Sequence, residues 1–304
     1  MLDINDFGKL CCALFRNDRG CVYPCPPERQ REMFDVFDEN KDGFIDKSEF
    51  KFCWNRWIKK IVRPVSVLLV IDVQNDFISG SLNLSNCAAQ HNGEEIIKPI
   101  NELLDTVRFD AMFYSFDWHP ADHVSFIDNL PQRKIHSSSP LSAAAAQLYD
   151  TVIFEGSPPV KQRLWPRHCV MDGAVFVYKG INTEVDSYSA FFDNQRLSRT
   201  CLDDRLRELN ATDVYVCGLA YDVCVGATAV DALNLGYRTV LIDDCCRGVN
   251  VDDIEATKSS FIADHGIVVD SQQVKAMVDG RDRRPEMGYK LCIELRAEKK
   301  RNKI

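Results

Sequence analysis

The stretch Val214–Gly236, VYVCGLAYDVCVGATAVDALNLG, decides how the rest of the chain is read. Asp213 to Cys217 is a short apolar run rich in β-branched and aromatic residues and bounded by Gly218, which predicts a buried strand. Beyond Leu219-Ala220-Tyr221-Asp222 the period changes. Val223, Ala227, Val230, Ala232 and Leu233 recur at helical spacing, and Gly236 stands where a helix stops. Cys224 therefore falls where a strand tips into the first turn of a helix. Unpaired backbone N–H groups and the positive end of the helix dipole lower a thiol pKa there and supply donors for a developing oxyanion. The bland alternative is one more buried thiol among thirteen cysteines.

Outward from this stretch, apolar β-type runs occur at Val65–Ile71, Ala111–Phe116, Ala174–Tyr178, Asp213–Cys217, Arg238–Ile242 and Ile267–Val269. Helical patterns at Glu94–Arg108, Leu202–Leu209, Val223–Leu235 and Asp252–Ala263 come between them. Such alternation implies right-handed crossovers and a parallel sheet with helices on both faces, a Rossmann-like three-layer α/β unit. Ligands bind such sheets beyond the carboxyl ends of the strands. Asp72 ends the first run, Asp117-Trp118-His119-Pro120 the second and Lys179-Gly180 the third, and the fourth leads to Cys224. Taken singly, each is equally well a capping Asp or a solvated Lys. Taken together, Asp72, Lys179 and Cys224 form a nucleophilic set: the carboxylate takes the thiol proton and the ammonium favours thiolate and transition-state charge.

A metal signal accompanies this set. Asp117-x-His119 places two ligand types on one side of an extended segment, and His168 in Trp165-Pro166-Arg167-His168-Cys169 is the third candidate. Two imidazoles and a carboxylate suit zinc or iron with open positions. His123 is a competing ligand and Asp128 offers a further oxygen. Residues 131–164 read as an insertion near the mouth of the site, with an exposed Ser137-Ser138-Ser139-Pro140 loop and a short helical run at Leu141–Tyr149.

Residues 1–64 carry a separate motif, DENKDGFIDKSE from Asp38. It puts Asp38, Asn40, Asp42, the Phe44 carbonyl, Asp46 and Glu49 at loop positions 1, 3, 5, 7, 9 and 12, with Gly43 at the tight sixth position. This is the pattern of an EF-hand calcium loop. Met33, Phe34 and Phe37 stripe the helix before it, and Phe50, Trp54 and Trp57 the one after it. No second intact loop is visible. Asn17-Asp18-Arg19-Gly20 is at best a degenerate partner, so the loop is expected to lean on a defective mate, on the larger unit or on another subunit.

The resulting division is a small all-α EF-hand domain at 1–64, an α/β domain at 65–275 and a basic tail at 276–304. The tail reads as a solvated helix, with a nuclear-import signal as the alternative. The chain has 304 residues, 45% of them hydrophobic and 27% charged, an ordinary globular balance. The apolar run Val65–Ile71 is too short to cross a bilayer, and a net charge of −8 argues against general nucleic-acid binding. An odd number of cysteines without an export signal favours reduced thiols in the cytoplasm. A homo-oligomer is compatible with the sequence.

In order, LLVIDVQNDF (68–77), DWHPADHVSF (117–126), WPRHC (165–169), Lys179, DSYSAF (186–191) and GLAYDVCVGATAVDALNLGY (218–237) resemble the isochorismatase-like cysteine hydrolases, and most of all their nicotinamidases. The resemblance spans about residues 65–271. An EF-hand ahead of such a domain is similar to nicotinamidases of insects and some other animals. The resemblance implies a six-stranded parallel sheet and the triad Asp72, Lys179 and Cys224. It also implies a divalent metal, usually zinc, on Asp117, His119 and His168. A cis peptide at Leu219–Ala220 would aim the Ala220 and Cys224 N–H groups at the substrate carbonyl oxygen. Phe77, Trp165 and Tyr188, with Phe191 as a weaker candidate, would wall a flat pocket for a pyridine ring. The implied reaction, in NAD salvage, is hydrolysis of nicotinamide to nicotinate and ammonia through a Cys224 thioester, with Asp72 as base, Lys179 assisting and the ring nitrogen on the metal. A related amidase acting on another small amide or an N-carbamoyl compound is the nearest alternative. A calcium-responsive binding scaffold without catalysis is the alternative from a different class.

Overall fold

A strand whose successive residues are all buried must be covered on both faces, because alternate side chains point in opposite directions. The computed structural model, which describes residues 1–169 and 178–301, shows this for two central strands: every residue of Ser66–Ile71 and of Asp213–Leu219 is buried. In chain order the strands are β1 (Ser66–Ile71), β2 (Ala111–Asp117), β3 (Thr151–Phe154), β4 (Val160–Arg163), β5 (Tyr178–Lys179), β6 (Asp213–Leu219), β7 (Arg238–Arg247) and β8 (Ile267–Val269). Six of them form one sheet in the order β5-β2-β1-β6-β7-β8, and every pair is parallel. The expected strand at Ala174–Tyr178 lies, apart from Tyr178, outside the described residues.

Intervening helices at Ile97–Thr106, Leu202–Glu208, Gly226–Asn234 and Val251–Ala263 match the periodic segments of the sequence. Leu141–Tyr149 differs: it holds turns rather than a helix, and the surrounding segment is organised by the antiparallel hairpin of β3 and β4. Val152 and Phe154 of β3 pack with Val124, Leu130 and Leu164 in a small cluster of their own, so tertiary packing overrode the local alanine-rich pattern.

The register between β6 and β7 shifts at Val216/Gly218. Gly218 sits at φ +126°, and a Cβ placed there would lie 2.0 Å from the Ile71 carbonyl oxygen. Only glycine lets β6 bend against β1 at the point where the chain leaves the sheet toward Cys224.

The N-terminal residues form helices at Ile4–Leu14, Pro27–Phe37 and Lys47–Cys53, the last running on through a π-helical turn, Trp54–Ile58, to Val62. Phe7 and Phe37 pack on Trp57, which is fully buried, and Phe34 packs on Phe7, while Trp54 is exposed. The EF-hand-like loop pairs with the chain's own N-terminus: Leu2 and Ile45 exchange backbone hydrogen bonds of 3.0 and 2.8 Å. The Asn17–Gly20 stretch is instead a turn closed on the Asn17 side chain.

The segment expected as a solvated tail differs over its described residues, 276–301. Helix Pro285–Arg301 buries Leu291, Cys292 and Leu295 in the N-terminal aromatic core, and Gly288 accepts the Trp57 indole N–H at 2.8 Å. Basic composition masked an apolar stripe at Met287, Leu291 and Leu295, spaced by four. Among the described residues no helix is long and apolar enough to cross a membrane. Trp57→Ala is expected to lower stability by about 3–5 kcal/mol. Chemical denaturation followed by circular dichroism checks this, and a wild-type midpoint would show that the aromatic core does not carry the small unit.

Candidate active site

The carboxyl ends of β1, β2, β5 and β6 converge, and the residues there are held by charge. Lys179, at the end of β5, is a buried ammonium. Its Nζ lies 2.8 Å from Asp72 Oδ2 and 3.0 Å from Asp117 Oδ1, and it donates to the Ser187 carbonyl at 2.8 Å and to Cys224 Sγ at 3.4 Å. Asp72 follows β1 in a left-handed conformation, φ +48°, and accepts the Ser115 hydroxyl at 2.7 Å. The structure thus brings Asp72, Lys179 and Cys224 into one contact group.

Burial raises the Asp72 pKa, with Lys179 opposing and Asp117 adding to the rise. Burial works against charge on Lys179 too, but the two carboxylates overcome it and hold the ammonium well above its usual range. The Cys224 thiol differs from the depressed pKa expected of a helix start. Burial pushes it well up, and the negative charge of Asp72 and Asp117 offsets the help from Lys179. The resting sulfur is therefore a thiol that needs a base, and Asp72, which shares the Lys179 ammonium with it, is a carboxylate tuned toward accepting a proton.

Asp117, His119 and His168 form the second group, their donor atoms all within 4.8 Å of one another. His119 Nε2 is 2.9 Å and His168 Nε2 3.3 Å from Asp117 Oδ2. Each ring places its Nδ1 against a backbone carbonyl, Gly180 at 3.0 Å and Pro166 at 2.7 Å. An Nδ1–H donated in this way leaves an Nε2 lone pair aimed at a carboxylate oxygen in each neutral ring. Three electron-rich atoms converging in a buried place are the condition a divalent metal satisfies, so the residues fit one. His123 stacks on His119 at 4.0 Å and belongs to a neighbouring group with His119 and Asp186, its pKa pushed down to about 4 by burial and by His119. Asp128 is exposed and belongs to neither group.

Both groups open on a cleft of about 380 Å³ lined by Phe77, Trp165, Tyr188, Ala220, Cys224, Asp117, His119 and His168. Phe191 lies in the hydrophobic core and does not border it. The Leu219–Ala220 peptide is cis, in line with the expectation from the resemblance. Five lining residues were not foreseen: Leu82, Leu84, Asp186, Val223 and Val249. Leu82 and Val249 sit in loops that no periodicity marks. Ser115, a lone hydroxyl in an apolar strand, was a readable signal for a partner of Asp72.

In the N-terminal unit, between helices Pro27–Phe37 and Lys47–Cys53, Glu49 closes the Asp38–Glu49 turn by accepting the Glu39 and Asp46 N–H groups at 2.7 and 2.9 Å. Gly43 takes φ +86°, and Asp38 Oδ1 is buried without a hydrogen-bond partner. An orphaned carboxylate oxygen at the first loop position fits a cation there.

Fold and site define a hydrolase built on a six-stranded parallel sheet, with a thiol as candidate nucleophile beside a candidate metal centre. An isochorismatase domain matches residues 182–273 and an EF-hand domain residues 31–56. A nicotinamidase of Escherichia coli is 38% identical over 204 residues, covering 62% of this chain and 85% of its own. A nicotinamidase–pyrazinamidase structure from Acinetobacter superposes with a TM-score of 0.57 at 30% identity, covering 69% of this chain and 98% of that one. The yeast nicotinamidase bound to the inhibitor nicotinaldehyde superposes at 0.56 and 29% identity, covering 67% and 99%. The chain belongs to the isochorismatase-like family, among its nicotinamidases.

Gly180 faces this centre at φ +72°, where a Cβ would lie 2.5 Å from His119 Cε1. Gly180→Ala is therefore expected to displace the imidazole and to lower metal content severalfold in elemental analysis. Unchanged metal content in a folded variant would remove His119 from the centre.

Proposed function

We propose that the chain hydrolyses nicotinamide to nicotinate and ammonia, through Cys224 as nucleophile. One observation carries the reading: a thiol, an ammonium and a carboxylate share a 2.8–3.4 Å contact group beside a metal-competent Asp-His-His set, at the foot of an aromatic-walled cleft. Asp72 accepts the Sγ proton as sulfur attacks the amide carbon. Lys179 stays charged and limits the negative potential at sulfur. The Ala220 and Cys224 N–H groups take the oxyanion. Ammonia leaves with the proton returned from Asp72, and the same carboxylate activates the water that opens the thioester. Phe77, Trp165 and Tyr188 hold the flat ring. Asp117, His119 and His168 would hold a divalent metal, zinc in this reading, and a bound metal supplies a Lewis-acid anchor for a ring nitrogen. Asp38, Asn40, Asp42, Phe44, Asp46 and Glu49 would hold calcium.

This reading assigns residues 65–275 to catalysis and 1–64 to the calcium loop, with helix Pro285–Arg301 completing the latter unit. All thirteen cysteines are unpaired, which supports a reducing, cytoplasmic setting.

Ammonia release from nicotinamide is expected to fall by roughly 10³-fold or more in Cys224→Ala. Benzamide, which lacks the ring nitrogen, should turn over poorly in the wild type. Equal release by wild type and variant would end the proposal, and preference for an N-carbamoyl compound would move the chain to the sister activity. Glu49→Gln is expected to weaken calcium binding in calorimetry, and an unchanged isotherm would refute the loop assignment.

A further inference from the structure

The DVQNDF segment holds a residue the mechanism leaves unused. Gln74, two positions past Asp72, turns its side-chain amide onto the end of β2. Its Oε1 accepts the Asp117 N–H at 2.7 Å, and its Nε2 donates to the Asp117 carbonyl at 3.0 Å and to Cys169 Sγ at 3.3 Å. The orientation of the amide is unambiguous, because a backbone N–H only donates and a carbonyl only accepts. One side chain thus copies a strand's hydrogen-bonding pattern at the place where β1 has already left the sheet: β1 ends at Ile71 and β2 at Asp117.

What Gln74 touches sets its role. Asp117 carries the carboxylate that both histidines face, and Cys169 is the neighbour of His168 and accepts the His119 N–H through its own carbonyl at 2.8 Å. The two segments that present the donors, Asp117 with His119 and His168 with Cys169, therefore meet on a single amide. Gln74 itself contacts neither the cleft nor the three donor atoms.

We propose that Gln74 is a positioning residue for the metal centre: its amide fixes the Asp117 main chain and the His168–Cys169 turn so that the three donors converge before any metal arrives. The inference rests on the metal assignment made under the proposed function, but not on the substrate.

The test measures metal affinity apart from turnover. Apoprotein of the wild type, Gln74→Ala and Gln74→Glu is titrated with zinc against a colorimetric chelator, with calcium held saturating so that the EF-hand loop does not compete. Gln74→Glu is nearly isosteric and keeps the acceptor for the Asp117 N–H. It sets a second carboxylate oxygen against the Asp117 carbonyl, so it serves even where Gln74→Ala folds poorly by circular dichroism. The zinc dissociation constant is expected to rise about tenfold or more in both variants. Excess zinc should then restore most of kcat for ammonia release. Wild-type affinity in both variants overturns the proposal, as does a loss of kcat that excess zinc leaves in place, which would put Gln74 in the chemistry instead. If nicotinamide is not the substrate, the chelator titration still decides the role of Gln74, while the ammonia assay fails for all three proteins alike.

Discussion

A buried ammonium is tolerated only where opposite charge and hydrogen-bond acceptors surround it, because desolvating it alone costs several kcal/mol even after relaxation. Lys179 meets that requirement with Asp72, Asp117 and the Ser187 carbonyl, each from a different segment. The ends of β1, β2 and β5 and the loop after β5 must therefore come together for the ammonium to stay charged. The nucleophile turn after β6 is drawn to the same point through Cys224. Two carboxylates around one ammonium leave the group with one negative charge in excess. Burial above all, and this excess after it, keep the Cys224 proton on sulfur until a base removes it, and the excess also favours a cation on the far side of Asp117. The candidate nucleophile and the candidate metal centre are in this sense one electrostatic unit, with Asp117 as the shared member.

The opposite edge of the sheet does different work. Arg238 and Asp213, the first residues of β7 and β6, form a buried ion pair, and the Arg238 guanidinium also donates to the Lys60 carbonyl at 2.7 Å, at the end of the N-terminal helices. Tyr23 bonds Asp282 at 2.9 Å, and Arg283 donates to the Leu14 carbonyl at 2.6 Å. The EF-hand-like unit is thus fastened at the amino ends of the strands, while the cleft lies at their carboxyl ends. Helix Pro285–Arg301 fills the aromatic core that a second EF-hand would otherwise help to close. Lys299 adds a positive charge at the end of the helix before the loop, donating to the Val36 carbonyl at 3.0 Å.

The alternation of strands and helices, the polar residues at strand ends and the twelve-residue loop were all readable, because each is a local pattern with its own period or spacing. Asp72, Asp117, Lys179 and Cys224 could be named from those patterns. The hairpin of β3 and β4 could not, since its residues alternate only weakly and are stabilised by Val124 and Leu130 from elsewhere. The C-terminal helix was legible as a helix but not as core, because its apolar stripe needs Trp57 as a partner.

The sequence by itself determined the order of elements, which chemical groups stand at the sheet's carboxyl edge and where a cation loop forms, since spacing along the chain settles these. Tertiary structure alone decided that Lys179 is shared between two carboxylates, that the thiol is held protonated, and that Gln74 joins β1 to β2. Charges and hydrogen bonds act through space across 43 to 107 positions of chain, and no periodicity records them.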